Sequence, residues 1–193
     1  MERRQLPFPP QHVYQVVVGV SEYKRFVPWC VDSVVMVPSP RPGAPLEAEL
    51  TVGFRMLSER YVSRVTAVPL RSVTAVASGT TLFSHLVNVW EFEPGATPGT
   101  THLTFRVEFQ FKSQLYASVS QMFFNEVVRN MVQAFEGRCK DTLEEFLVQQ
   151  KREAAAAAAA IRAQASAAAD AAAAEKASQQ RKARVQPLRP GLW

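Results

Sequence analysis

Cysteine occurs at only two positions, Cys30 and Cys139, and the chain holds neither a Cys-x-x-Cys pair nor a His-Glu-x-x-His run. That scarcity excludes a disulfide scaffold and a zinc site of the usual spacing, and it fits a reducing compartment. The three histidines, His12, His85 and His102, stand far from one another and at no ligand spacing from a carboxylate or thiol. Glycine is sparse, with eight residues in 193, and nowhere forms a phosphate-cradling loop. No serine lies in a Gly-x-Ser-x-Gly elbow. Carboxylate pairs such as Glu47/Glu49 and Glu144/Glu145 read as solvated faces. No run of about 18 apolar residues is present, which excludes a membrane-spanning helix. The opening MERRQLPFPP lacks the apolar centre of a secretory signal, and no targeting segment is visible.

What remains is a chain that is 47% hydrophobic, enough for a sizeable core. Its net charge of +5 is unevenly placed. Residues 1–150 carry fourteen basic and fourteen acidic side chains, so the whole surplus lies in 151–193. The body therefore lacks the basic excess that nucleic-acid binding favours. Residues 154–175 are mostly alanine, the best helix former, with almost no bulky side chain to bury. From Ala177 onward the sequence is basic and contains proline, which predicts disorder. The expected organisation is one domain over 1–150 and a tail over 151–193, helical and then disordered.

In the body, a weak strand over 3–8 precedes Pro9-Pro10, which suit a helix start, and a helix over Pro10–Val20. A short helix over SEYKRF follows. From Trp29 to Phe111 the apolar period becomes two, with strands over 29–37, 46–54, 57–67, 71–79, 82–93 and 101–111. Leu57, Tyr61 and Val65 share one face. So do Leu82, Leu86, Trp90 and Phe92, and so do Leu103, Phe105, Val107, Phe109 and Phe111. Val73, Ala75 and Ala77 make the inward face of the 71–79 strand small. Strands polar on one face and apolar on the other, joined by short turns, predict an antiparallel meander covered on one side.

The cover is the run Gln114–Leu147, proline-free, with apolar residues at helical spacing from Leu115 through Phe146/Leu147. At about 1.5 Å per residue it is about 50 Å long. Its first half is rich in aromatic residues and methionine, including Phe123, Phe124, Met131 and Phe135. Such side chains fill irregular space or line a pocket. The predicted class is α+β, a curved antiparallel sheet of six to seven strands wrapped on a long C-terminal helix. No catalytic constellation emerges; His85 and Tyr61 are the weak candidates for polar groups in a cavity, and His102 reads as a surface residue.

Three stretches, QHVYQVVVGVSEY, YKRFVPWC and FKSQLYASVSQMFFNEVVRNMVQAFEGRC, together resemble the ubiquinone (coenzyme Q)-binding family of the START-like, polyketide cyclase/dehydrase superfamily over roughly residues 3–148. The resemblance implies a helix-grip fold and a hydrophobic tunnel for ubiquinone or a late precursor. It implies a non-catalytic carrier, supporting respiration and quinone biosynthesis, with no catalytic cofactor. Implied partners are the inner membrane and respiratory or quinone-synthesising complexes. The implied location is the matrix side of the mitochondrial inner membrane. The expected cavity residues are Phe26, Trp29, Phe54, Leu86, Trp90, Phe105, Phe109, Leu115, Phe123, Val127, Met131 and Phe135. Val27, Pro28, Cys30 and Phe124 belong to the same two motifs. A bacterial branch resembling a ribosome-associating toxin supplies an alternative function, and a polyketide cyclase-like enzyme another.

Overall fold

A computed structural model describes residues 1–41, 44–54 and 57–184, with side chains described for all of these but 54, 57, 114–125 and 182–184. Strand β1 (Glu2–Leu6) leads into α1 (Pro10–Val18) and a 3-10 helix (Val20–Arg25). Six strands follow: β2 (Cys30–Val37), β3 (Leu46–Phe54), β4 (Leu57–Val68), β5 (Ser72–Ser78), β6 (Phe83–Pro94) and β7 (Thr101–Phe111). Helix α2 (Gln114–Arg184) ends the described chain. All strand pairs are antiparallel, in the order β1-β7-β6-β5-β4-β3-β2. The predicted element order and the helix-grip architecture are both present.

Local chemistry explains the boundaries. Pro10 occupies the first turn of α1, where a missing N–H costs nothing, and the Pro9 carbonyl accepts from His12 N and Val13 N at 3.0 and 3.1 Å. Alternation of bulky apolar and polar residues sets β7, whose Thr101, Leu103, Phe105 and Val107 are buried while His102, Arg106 and Glu108 are exposed. The β2 strand begins at Cys30 rather than Trp29, because Trp29 takes a left-handed backbone conformation (φ 63°) that no strand admits.

Two compact units divide the chain, Met1–Glu144 and Glu145–Trp193. In the first, β1 pairs with residues 101–105 of β7 only, so it widens the sheet at that end of β7 alone. The packed core sits at that end. Leu6, Phe8, Val13, Val17, Leu103, Phe105, Val132, Phe135 and Cys139 are all buried there. His12, 2% exposed, donates from Nε2 to the Cys139 carbonyl at 2.8 Å, and Thr101 Oγ1 donates to the Phe8 carbonyl at 2.7 Å. These buried bonds, each worth about 1 kcal/mol net, fix α1 against α2 and β7. Ion pairs Arg4–Glu136 (2.9 Å) and Arg138–Glu22 (3.3 Å) tie β1 and the 3-10 helix to α2.

In the second unit the helix is exposed from Leu147 through Arg181, as its alanine content predicts. The helix continues through residues 177–184, where composition predicts disorder. Seven of those eight residues are Ala, Gln, Lys or Arg, good helix formers without a breaker, and the first proline comes later at Pro187.

Candidate functional site

Beyond residue 105 of β7 the inner face of the sheet and α2 line a common space. A cavity of about 350 Å³ lies between them. Its origin is legible in β5: Val73 and Ala75 face inward between the larger residues of β4 and β6, and they leave space that no neighbour fills. One end is sealed by an aromatic stack. Trp90 lies 4.1 Å from Phe105 and 4.5 Å from Phe135, ring centre to ring centre. Phe135 in turn receives Phe26 and Tyr23 edge-on at 5.0 and 5.3 Å. The other end holds Leu82, Phe83, Phe109 and Phe111, with the Phe83–Phe111 centres 4.9 Å apart. Val127 and Met131 of α2 form the roof, and Trp29, Cys30, Leu50 and Val52 close one side.

Of the expected cavity residues, Trp29, Leu86, Trp90, Phe105, Phe109, Val127, Met131 and Phe135 line the space. Phe26 is a correction: it is not among the lining side chains. Its ring packs behind the wall, against Tyr23 and Phe135, under the Arg138 guanidinium at 5.8 Å. Phe54, Leu115, Phe123 and Phe124 lie outside the described side chains. His85 is a second correction. It points to the outer face, with Nε2 3.7 Å from Glu108. Regular alternation from Leu86 and Trp90 turns it outward; before it, Phe83 pairs with Phe111 but His85 with Gln110, so Ser84 is an extra residue and the facing alternation slips by one. The same slip turns Phe83 inward. His102 is exposed, as expected.

The YKRFVPWC motif contributes through backbone as well as side chain. Trp29 holds φ 63° and its carbonyl accepts from Gly53 N at 2.8 Å, which pins the motif to the end of β3. A bulky residue in this region costs on the order of 1–3 kcal/mol and persists only where its surroundings fix it. Cys30 donates to the Asp32 carbonyl, and burial followed by the Asp32 charge pushes its thiol up to about 11. It is therefore a neutral thiol near pH 7, not a nucleophile. Cys139 is pushed up to about 12 by burial and then Glu136.

Tyr61 lines the cavity, and three polar residues beside it on the inner face escape a search for apolar periodicity: Glu59, Ser63 and Asn88. The signal is nonetheless present. Glu59 and Ser63 share the parity of Leu57, Tyr61 and Val65, and Asn88 that of Leu86 and Trp90. Glu59 is 7% exposed and accepts from Thr80 Oγ1, from Thr81 N and Oγ1, and from Leu82 N. Burial pushes its carboxyl up, but these donors outweigh it and the net shift is downward. A carboxylate so held clasps the β5–β6 turn onto β4 and has no proton to exchange near neutrality. Among the described residues no group of three or more His, Cys, Asp or Glu could hold a metal ion.

Residues 6–136 match the protein family described as polyketide cyclase/dehydrase and lipid transport. The chain is 45% identical over 137 residues to the mitochondrial coenzyme Q-binding protein COQ10 homolog B of Xenopus laevis, covering 70% of this chain and 55% of that protein. It is 35% identical over 138 residues to the mitochondrial coenzyme Q-binding protein of Schizosaccharomyces pombe, covering 71% and 84%. A ribosome association toxin of Pseudomonas aeruginosa is 30% identical over 136 residues, covering 70% and 90%. The chain thus spans little more than half the length of the amphibian relative. Among solved structures, a START superfamily protein from Mycobacterium smegmatis superposes with a TM-score of 0.64 at 14% identity, over 72% of this chain and 95% of that one. An aromatase/cyclase from a Streptomyces species gives 0.61 at 16%, over 74% and 93%. At these identities the two structures speak for the fold alone.

Proposed function

We propose, from the premise that the chain belongs to the coenzyme Q-binding COQ10 family of the START-like superfamily, that it binds ubiquinone or a late precursor and carries it without chemical change. The observation that carries this is the cavity itself: about 350 Å³, lying between sheet and helix, and walled mostly by aliphatic and aromatic side chains. Trp29, Leu86, Trp90, Phe105, Phe109, Val127, Met131 and Phe135 are its ligand-facing residues in this proposal; Phe54, Leu115 and Phe123 extend it. The volume equals roughly a dozen waters at about 30 Å³ each, enough for a quinone ring and the first isoprene units.

The carrier role, with delivery to respiratory or quinone-synthesising complexes, follows from an apolar ligand that water will not transport. Mitochondrial residence, on the matrix side of the inner membrane, is proposed from the mitochondrial relatives. Contact with a membrane is supported by the edge strand β2, where Val31 and Met36 are 64% and 57% exposed immediately after the cavity residues Trp29 and Cys30. Cyclase chemistry is disfavoured because the one cavity carboxylate among the described residues, Glu59, is spoken for by four donors. A toxin-like ribosome contact is disfavoured by the zero net charge of residues 1–150.

The test is to purify the protein from a quinone-making host, extract it with organic solvent and identify the lipid by mass spectrometry. Bound ubiquinone is expected. Protein that emerges lipid-free and refuses added quinone refutes the carrier role.

A further inference from the structure

The cavity is apolar except along one strip of its sheet floor. Tyr61 and Ser63 stand two residues apart on the same face of β4, only 9% and 4% exposed. Asn88 stands two strands away on β6, half-buried; in the register Ser63 pairs with Ala77, and Asn88 sits one inward position further along, opposite Ala75, which pairs with Val65. None of the three side chains meets a hydrogen-bond partner among the described residues, yet no buried side-chain nitrogen or oxygen is cut off from solvent-sized space. Their polar atoms therefore open into the cavity. Burying a hydroxyl or amide without a partner is costly, and a sequence that needed only a greasy tunnel is served as well by phenylalanine, alanine and leucine here. The nearby Glu59 differs: its oxygens are already filled by Thr80, Thr81 and Leu82.

We propose that Tyr61, Ser63 and Asn88 form a head-group subsite for a flat ring bearing carbonyl and alkoxy oxygens. The ring lies on the sheet floor beside the Trp90–Phe105–Phe135 stack, and the hydrocarbon tail runs under Val127 and Met131. The chemistry is complementary. Two hydroxyls and an amide NH₂ donate to carbonyl oxygens, and aromatic faces bound the end where a flat ring stacks. An isoprenoid tail offers those donors nothing, so its place is against α2, whose described cavity-facing side chains, Val127, Met131 and Phe135, are apolar. The inference rests on the quinone-carrier proposal and adds an orientation: head on the sheet, tail along the helix.

The experiment compares ubiquinone carrying two isoprene units with the ring-free isoprenoid hydrocarbon of the same tail, titrated into delipidated protein. Tyr61→Phe, Ser63→Ala and Asn88→Leu are each expected to weaken ubiquinone about fivefold to tenfold, the effect of one neutral hydrogen bond. Hydrocarbon affinity is expected to stay within about twofold or to rise, which also certifies that each variant is folded. With ¹³C-labelled carbonyls, the infrared stretch of bound quinone is expected below its position in an aprotic solvent, returning upward in Ser63→Ala and Asn88→Leu. Variants that bind ubiquinone as the parent does, with an unmoved carbonyl band, overturn the subsite and leave the carrier role standing. Parent protein that takes the hydrocarbon but not ubiquinone overturns both.

Discussion

Replacing Ala75 by leucine asks the sheet floor whether the space above it is empty. In a close-packed core such an insertion is destabilising by about 1–3 kcal/mol, because side chains are forced off their rotamers. Ala75 instead lines the cavity between Val65 of β4 and Asn88 of β6. Three added carbons gain about 0.8 kcal/mol each on burial, less roughly 0.5–1 kcal/mol of leucine side-chain entropy, for a net gain of about 1.5 kcal/mol. For a domain of this size that raises Tm by about 3–6 °C. Three heavy atoms also take on the order of 90 Å³ at the volume of three waters, roughly a quarter of the 350 Å³ available, so quinone affinity is expected to fall at least about tenfold. The assay pairs scanning calorimetry of delipidated protein with quinone quenching of Trp29 and Trp90, both in the cavity wall. Stability and binding must move in opposite directions. A variant that melts lower and binds quinone as the parent does refutes the cavity, since that is the behaviour of a filled core with its ligand elsewhere.

Two further outcomes follow from the same geometry. Glu59 titrates below its ordinary value of about 4.3, so its stabilising contribution is complete above that pH and is lost as pH falls through the lower folded value. Glu59→Gln is expected to melt lower at pH 7 and to flatten the loss of Tm between about pH 5 and pH 3; an acid transition of unchanged steepness counts against the clasp. Ubiquinones of increasing tail length are expected to gain affinity over the first two or three isoprene units and then level off, because the cavity volume is then used up. Titration of a homologous series reads this directly, and affinity climbing steadily through the long tails contradicts a cavity of this size.

The sequence pattern carried the architecture further than the site. The bounds of β3 and β7 coincide with the alternating runs, because one covered face and one wet face write a period of two into the residues themselves. Where the backbone departs from regularity, that code fails. The extra residue at Ser84 reverses facing for Phe83, and nothing in LFSH distinguishes a bulge from a continuous strand. Trp29 begins the β2 reading one residue early because its positive φ has no residue-type signature. Eight of the expected lining residues face the cavity, since bulk plus parity predicts inward orientation. Neither bulk nor parity says whether an inward ring touches empty space or another ring, and Phe26 met Phe135. The polar strip was overlooked for the opposite reason: hydrophobic periodicity discards the serine, asparagine and glutamate that interrupt it.

The sheet order has a consequence for how the chain acquires its shape. Strand β1 pairs with β7, Glu2 opposite Phe105 and Leu6 opposite Thr101, so the earliest strand docks against the latest. Every other pairing joins neighbours along the chain across short turns. The meander β2–β7 can therefore zip from hairpins, whereas β1 and α1 must hold Leu6, Phe8, Val13 and Val17 unburied until about a hundred residues more have been made and ordered. Loop closure of that span is a late and slow event, and until it happens β7 is an open edge. The element that completes the core is thus also the guard against edge-to-edge association, and the time a nascent chain spends without it sets its exposure to aggregation.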